Sequence, residues 1–125
     1  MHEHKIAHLD LKPNNVVVTS QKGSSTRLLS IIDFGISVFV EGVETEVEGY
    51  RGTPCWVAPE VGSEDGPRRR YSVILADRWA CGQMIEHLGE YLINWGVSWG
   101  EDFRTLSRPL LKVNPVARPP LMEVL

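Results

Sequence analysis

Four polar side chains near the start of the chain could do chemistry together. Asp10, Lys12 and Asn15 stand in His8-Leu9-Asp10-Leu11-Lys12-Pro13-Asn14-Asn15, and Asp33 opens the later string Asp33-Phe34-Gly35. A carboxylate such as Asp10 can orient an incoming hydroxyl, and Lys12 can meet a phosphate. The amide oxygen of Asn15 and the carboxylate of Asp33 are hard ligands of the kind Mg²⁺ takes. Phosphoryl transfer needs this inventory, because positioning matters more there than covalent chemistry by the protein. Each residue alone has a plainer reading. An aspartate before Pro and Asn is often a turn or capping residue, a lone lysine is usually a surface charge, and Asp-Phe-Gly arises by chance. The spacing His-x-Asp-Leu-x-x-x-Asn selects Asn15 over its neighbour Asn14.

Two β-branched, apolar runs must position these groups. Residues 16–19 and 28–32 read as strands joined by a polar turn at 20–25. Such a hairpin carries Asn15 and Asp33 at one end. Residues 1–6 read as the last turn of a helix. Residues 36–50 are acidic and glycine-punctuated, and read as a mobile loop. A helix over residues 75–88, apolar on most faces, has Gly89 as its stop. The segment 91–100 gives no firm element. Phe103, Leu106, Leu110 and Leu111 keep helical spacing up to Pro115, and Pro119-Pro120 opens a last helix through Leu125.

Downstream lies Gly52-Thr53-Pro54-Cys55-Trp56-Val57-Ala58-Pro59-Glu60. With the two strings above, it makes the chain resemble the carboxyl-terminal lobe of a eukaryotic-type protein kinase of the serine/threonine type. The resemblance runs from His8 to Arg118 and implies an α+β, mainly α-helical fold. It divides residues 1–125, one partial kinase domain, into a catalytic loop at 8–15, a metal-binding tripeptide at 33–35 within an activation segment at 33–60, and a helical remainder at 70–125. It implies transfer of the ATP γ-phosphate to protein serine or threonine hydroxyls, with ATP and Mg²⁺ as cofactors. Asp10 is then the catalytic carboxylate, Lys12 contacts phosphate, and Asn15 and Asp33 hold the metal. Thr53 bonds towards Asp10 and Lys12. His8 packs beneath the tripeptide, Phe34 is core, and Gly35 frees the backbone for the turn presenting Asp33. Glu60 pairs with Arg118, a bidentate contact that lysine cannot copy. Asp77 accepts backbone N–H bonds from the catalytic loop, with helix capping as the plainer alternative.

Departures from the family pattern carry expectations of their own. No glycine-rich phosphate loop, strand lysine or helix glutamate is present. The resemblance places these on an amino-terminal lobe, so the isolated chain is expected to be weakly active or inactive and to associate through exposed apolar surface. Leu9 stands where many relatives have an arginine that grips a loop phosphate, so phosphorylation of Thr45 or Tyr50 is expected to be a weak switch. The alternative readings are a non-catalytic pseudokinase-like scaffold and a truncated product.

Composition narrows the setting. The 125 residues allow one domain, and 42% hydrophobic content describes a globular chain. A net charge of −3 gives no basic field for nucleic acid. The cluster Arg68-Arg69-Arg70 reads as a solvated helix start rather than a patch for an acidic partner. Two cysteines without metal spacing suit a reducing, intracellular site, cytoplasmic or nuclear. No run has the length of a membrane span.

Overall fold

The β-branched residues that favour a pleated surface pair as expected. In the computed structural model, which describes residues 1–20, 23 and 25–124, β2 (Val16–Ser20) and β3 (Arg27–Ile31) form an antiparallel hairpin in register from Val16↔Ile31 to Ser20↔Arg27. Of the expected polar turn, Gln21, Lys22 and Ser24 lie outside the described residues. The Ile32 amide donates to the Asn15 carbonyl at 2.9 Å, so Asn15 and Asp33 do emerge at the same end.

Two further ribbons bind the stretch read as a mobile loop. β1 (Ile6–Ala7) pairs with β4 (Val38–Phe39), and β5 (Glu46–Glu48) pairs with β6 (Arg70–Ser72). Residues 36–50 therefore hold two strands, whose partners are distant in sequence. Val47 lies opposite buried Tyr71, while Arg68 and Arg70 reach Glu48 and Glu46 at 3.8 and 3.4 Å. The arginine cluster thus leads into a strand rather than a helix. At the amino end, His2–His4 is a 3-10 turn rather than the end of an α-helix, and Ile6 already belongs to β1.

The long helix α1 runs Val73–Asn94, capped by the Ser72 hydroxyl, which accepts from the Leu75 amide at 3.4 Å. It passes through Gly89 and stops at Gly96, whose φ of +71° suits a residue without Cβ. There Gly96 N donates to Ile93 O at 2.9 Å and Val97 N to Leu92 O at 2.9 Å, the paired bonds of a Schellman ending. Gly89 serves packing instead: a Cβ there would lie 2.9 Å from the Gly100 carbonyl, where α2 (Gly100–Ser107) begins.

After α2 the expected helical run breaks, because Pro109 lacks the N–H that would continue the ladder. Leu110 keeps its burial without helix, at 0% exposure. The segment beyond Pro120 is a 3-10 turn, Leu121–Glu123, and Leu125 lies outside the described residues. With α-helices of 22 and 8 residues, the fold is mixed α and β rather than mainly helical. Ala7, Leu9, Val40, Ala58, Val61, Tyr71, Val73, Ile74 and Ala76 form the core, which joins residues 7–9 to α1.

Candidate active site

A buried carboxylate on α1 anchors the site. Asp77, 0% exposed, accepts from His8 N at 2.7 Å and Leu9 N at 2.8 Å, and meets His2 Nε2 at 3.0 Å. An unpaired carboxylate there would be costly, so these donors explain its burial. The capping alternative fails, because Ser72 holds that position. Leu9 adopts φ +67°, a conformation that costs an L-residue about 1–2 kcal/mol. The Asp77 bond and the apolar surroundings of Leu9 hold it there.

His8, also fully buried, accepts at Nδ1 from Asp10 N at 3.2 Å, which assigns its proton to Nε2, 3.0 Å from the Ile32 carbonyl that accepts it. Its ring meets Phe34 edge-on at 4.8 Å, and its own carbonyl accepts from Ser37 Oγ at 3.3 Å. His8 thus links the loop to the Asp33 turn and has no nitrogen free to act as a base. Phe34 is 47% exposed and so is not core among the described residues.

On this frame Asp10, Lys12, Asn15 and Thr53 converge. Lys12 Nζ donates to Asp10 Oδ2 at 2.8 Å and to Thr53 Oγ1 at 2.6 Å, and Thr53 Oγ1 donates to Asp10 Oδ1 at 2.6 Å. Asn15 Nδ2 donates to the Asp10 carbonyl at 2.9 Å and to Oδ2 at 3.1 Å. Asn14 is exposed, whereas Asn15 is 5% exposed. Burial alone would raise the Asp10 carboxyl. The hydrogen bonds from Lys12 and Thr53, the lysine charge and Asn15 outweigh it and hold Asp10 below its ordinary value.

Asp33 and Asp10 line one cavity of about 370 Å³ with Ile36, Tyr50, Arg51, Gly52 and Glu64, whereas Lys12, Asn15 and Thr53 are not among its lining residues. The turn that presents Asp33 differs from expectation. Asp33 itself takes the left-handed conformation at φ +63°, while Gly35 has no positive φ and donates its amide to Asp33 Oδ1 at 3.3 Å. Aspartate tolerates that region through such local bonds. A larger groove of about 580 Å³ lies elsewhere, lined by residues including Val43, Tyr71, Arg78 and Val116. It does not include Asp10, Lys12 or Asp33.

Thr53 reaches Asp10 because the backbone before it packs tightly. Gly52 has φ +113°, and a Cβ would lie 2.7 Å from the Leu9 carbonyl and 2.6 Å from Val57. The far end of the segment is fixed by Arg118, which is 1% exposed. Its Nη1 and Nη2 donate to the two Glu60 oxygens at 2.6 and 2.8 Å, the expected bidentate pair. The carbonyls of Lys112 and Leu75 accept further bonds at 2.8 Å each, and Trp79 lies under the guanidinium at 5.0 Å.

Sequence reasoning missed Tyr50, Arg51 and Glu64 as walls of the cavity, and His2 on Asp77. Only residue type could have flagged them. Burial, then the charges of Glu64, Cys55 and Asp10, raise the Tyr50 hydroxyl, so it stays protonated.

Residues 1–95 match the family model described as a protein kinase domain. The delta subunit of calcium/calmodulin-dependent protein kinase type II from Oryctolagus cuniculus is 34% identical over 102 residues, 81% of this chain. The chain spans 17% of the length of that curated relative. No helix among the described residues is long and apolar enough to cross a membrane. Through the family match over most of its length, this chain belongs to the protein kinase domain family.

Proposed function

We propose that the chain is the catalytic-loop and metal-binding lobe of an ATP-dependent serine/threonine protein kinase. The observation that carries this reading is the closed set of contacts that Lys12 and Thr53 make with Asp10, which lines a cavity together with Asp33. A carboxylate has about four acceptor sites. Thr53, Lys12 and Asn15 occupy three on Asp10, and the remaining one is left for an incoming serine or threonine hydroxyl. Held ionised by those donors, Asp10 orients the hydroxyl and receives its proton as the oxygen attacks. The Lys12 ammonium, beside Asp10, offsets negative charge on the transferring phosphoryl oxygens.

The donor set fits a magnesium-bound triphosphate. Asn15 spends its Nδ2 on Asp10, which leaves its Oδ1 as the hard donor, and exposed Asp33 lines the cavity with Asp10. Bound Mg²⁺–ATP would supply the transferable phosphoryl group and the divalent charge that steadies it. Adenine contacts, a glycine-rich loop and a lysine–glutamate pair belong to an amino-terminal lobe, a proposed partner of this one. The free thiols of Cys55 and Cys81 suit an intracellular site. Leu9 is 7% exposed and offers no charge to a phosphate, which supports activity independent of loop phosphorylation. A steep rise in activity on phosphorylation of Thr45 or Tyr50 would count against that part.

Thermal shift with Mg²⁺–ATP tests the whole, on this chain and on one extended by an amino-terminal kinase lobe. Stabilisation of the extended chain supports a nucleotide site divided between lobes. No stabilisation of either chain contradicts the reading and favours a scaffold.

A further inference from the structure

Arg51 carries a charge that nothing nearby answers. It lines the cavity that Asp10 and Asp33 line, and among the described residues no carboxylate pairs with its guanidinium and its side chain makes no hydrogen bond. Arg51 is half-buried, so water only partly replaces a missing partner. The other charges of this cavity are accounted for. Asp10 is bonded to Lys12 at 2.8 Å, and Asp33 is the proposed metal ligand. Glu64 is exposed and keeps its hydration.

A second cavity, of about 500 Å³, adjoins the first through Tyr50, Arg51 and Glu64, which line both. Neither Asp10 nor Asp33 is among its lining residues. Its other cation, Arg68, already has Glu48 at 3.8 Å. Arg51 thus lies between the reacting groups and a groove that leads away from them. That place suits an acceptor chain better than a nucleotide held at Asp33.

We propose that Arg51 selects protein substrates with an acidic residue beside the acceptor serine or threonine. The proposal rests on the kinase reading above and names a substrate class for it. A planar guanidinium meets a carboxylate through two parallel N–H donors, a geometry set before binding. The cavity that Arg51 and Asp10 line is roughly 9 Å across, the reach of two to three extended residues, so the acidic residue falls within about two positions of the hydroxyl.

Fluorescence anisotropy of the full chain with labelled peptides tests this without nucleotide. Each peptide has one serine among glycines and alanines, with aspartate, asparagine or lysine placed one or two positions to either side. The best aspartate peptide should bind roughly tenfold tighter than its asparagine counterpart, the worth of one hydrogen-bonded charge. Arg51→Gln should erase that difference. Arg69→Gln should keep it, because Arg69 lines neither cavity. Should Arg51→Gln disturb the circular dichroism, the wild-type comparison still decides. Equal or absent binding of the aspartate and asparagine peptides overturns the proposal, as does a difference that survives Arg51→Gln in the folded chain. Tighter binding of the lysine peptide also overturns it, by assigning the groove to Glu64. A two-lobed version separates the two readings. Transfer to aspartate and asparagine peptides with equal KM would remove the selectivity and leave the kinase reading, whereas discrimination without transfer would sink the kinase reading and leave Arg51 as a site for acidic peptides.

Discussion

The Glu60–Arg118 contact gives the sharpest energetic test of how the segment ending at Glu60 is held. Glu60→Gln removes the charge and keeps the shape. Arg118 then stays at 0% side-chain exposure without a counter-ion. Breaking a buried pair from one side costs roughly 3–5 kcal/mol, because the remaining charge cannot reach water. The carbonyls of Lys112 and Leu75 and the Trp79 ring still solvate the guanidinium, so the lower end, about 3 kcal/mol, is expected. In a domain stable by roughly 5–15 kcal/mol, that is a large fraction. It should lower Tm by about 10–15 °C at this chain length. Urea unfolding followed by circular dichroism measures it. Glu46→Gln is the control: its pair with Arg70 is 3.4 Å long and largely exposed, so the change should stay within about 0.5 kcal/mol. A Glu60→Gln cost as small as the control, with unchanged denaturant slope, would refute the reasoning.

Three further outcomes follow from the geometry. Lys12→Met removes the hydrogen bond and the charge of Lys12 and leaves burial opposed by Thr53 and Asn15 alone, so the Asp10 carboxyl should titrate above its present value, read by carboxyl NMR; no movement would contradict the assignment. Because its folded value is depressed, Asp10 stabilises the wild type above the unfolded carboxylate value of 3.8, and that contribution is lost as pH falls through the lower folded value. The Lys12→Met chain should keep less of it, because only Thr53 and Asn15 still lower Asp10. Burial, then the Asp77 charge, pushes the Cys81 thiol up to about 12 from 9.0, so at pH 8 iodoacetamide should label exposed Cys55 well before Cys81; comparable rates by mass spectrometry would refute this. Gly52→Ala meets the Leu9 carbonyl and Val57, so it should destabilise the chain by about 1–3 kcal/mol and lengthen the Thr53–Asp10 bond; a neutral effect would show that the approach is slack.

The site was more legible than the fold around it, for physical reasons. Asp10, Lys12, Asn15 and Asp33 lie in short strings whose spacing is fixed by local chemistry, and the β2–β3 hairpin that aligns them is carried by β-branched runs. The strands at Val38–Phe39 and Glu46–Glu48 left no local signal, because distant partners make them strands. Gly89 and Gly96 are equivalent as letters. Only tertiary approach to Gly100 distinguishes the packing glycine from the one that ends α1. The Asp33 turn misled for a related reason: glycine usually takes a positive φ, but here the aspartate does, supported by its own carboxylate. Pro109 was a readable breaker that the apolar spacing of Leu106 and Leu110 concealed.

Phosphate transfer by a two-lobed version of the chain, with wild type compared against Asp33→Asn, tests the proposed joint role of Asp10, Asn15 and Asp33 most directly. The expected result is loss of transfer from Mg²⁺–ATP to a serine or threonine peptide, with circular dichroism and Tm unchanged. Full transfer by the folded Asp33→Asn protein would contradict the account.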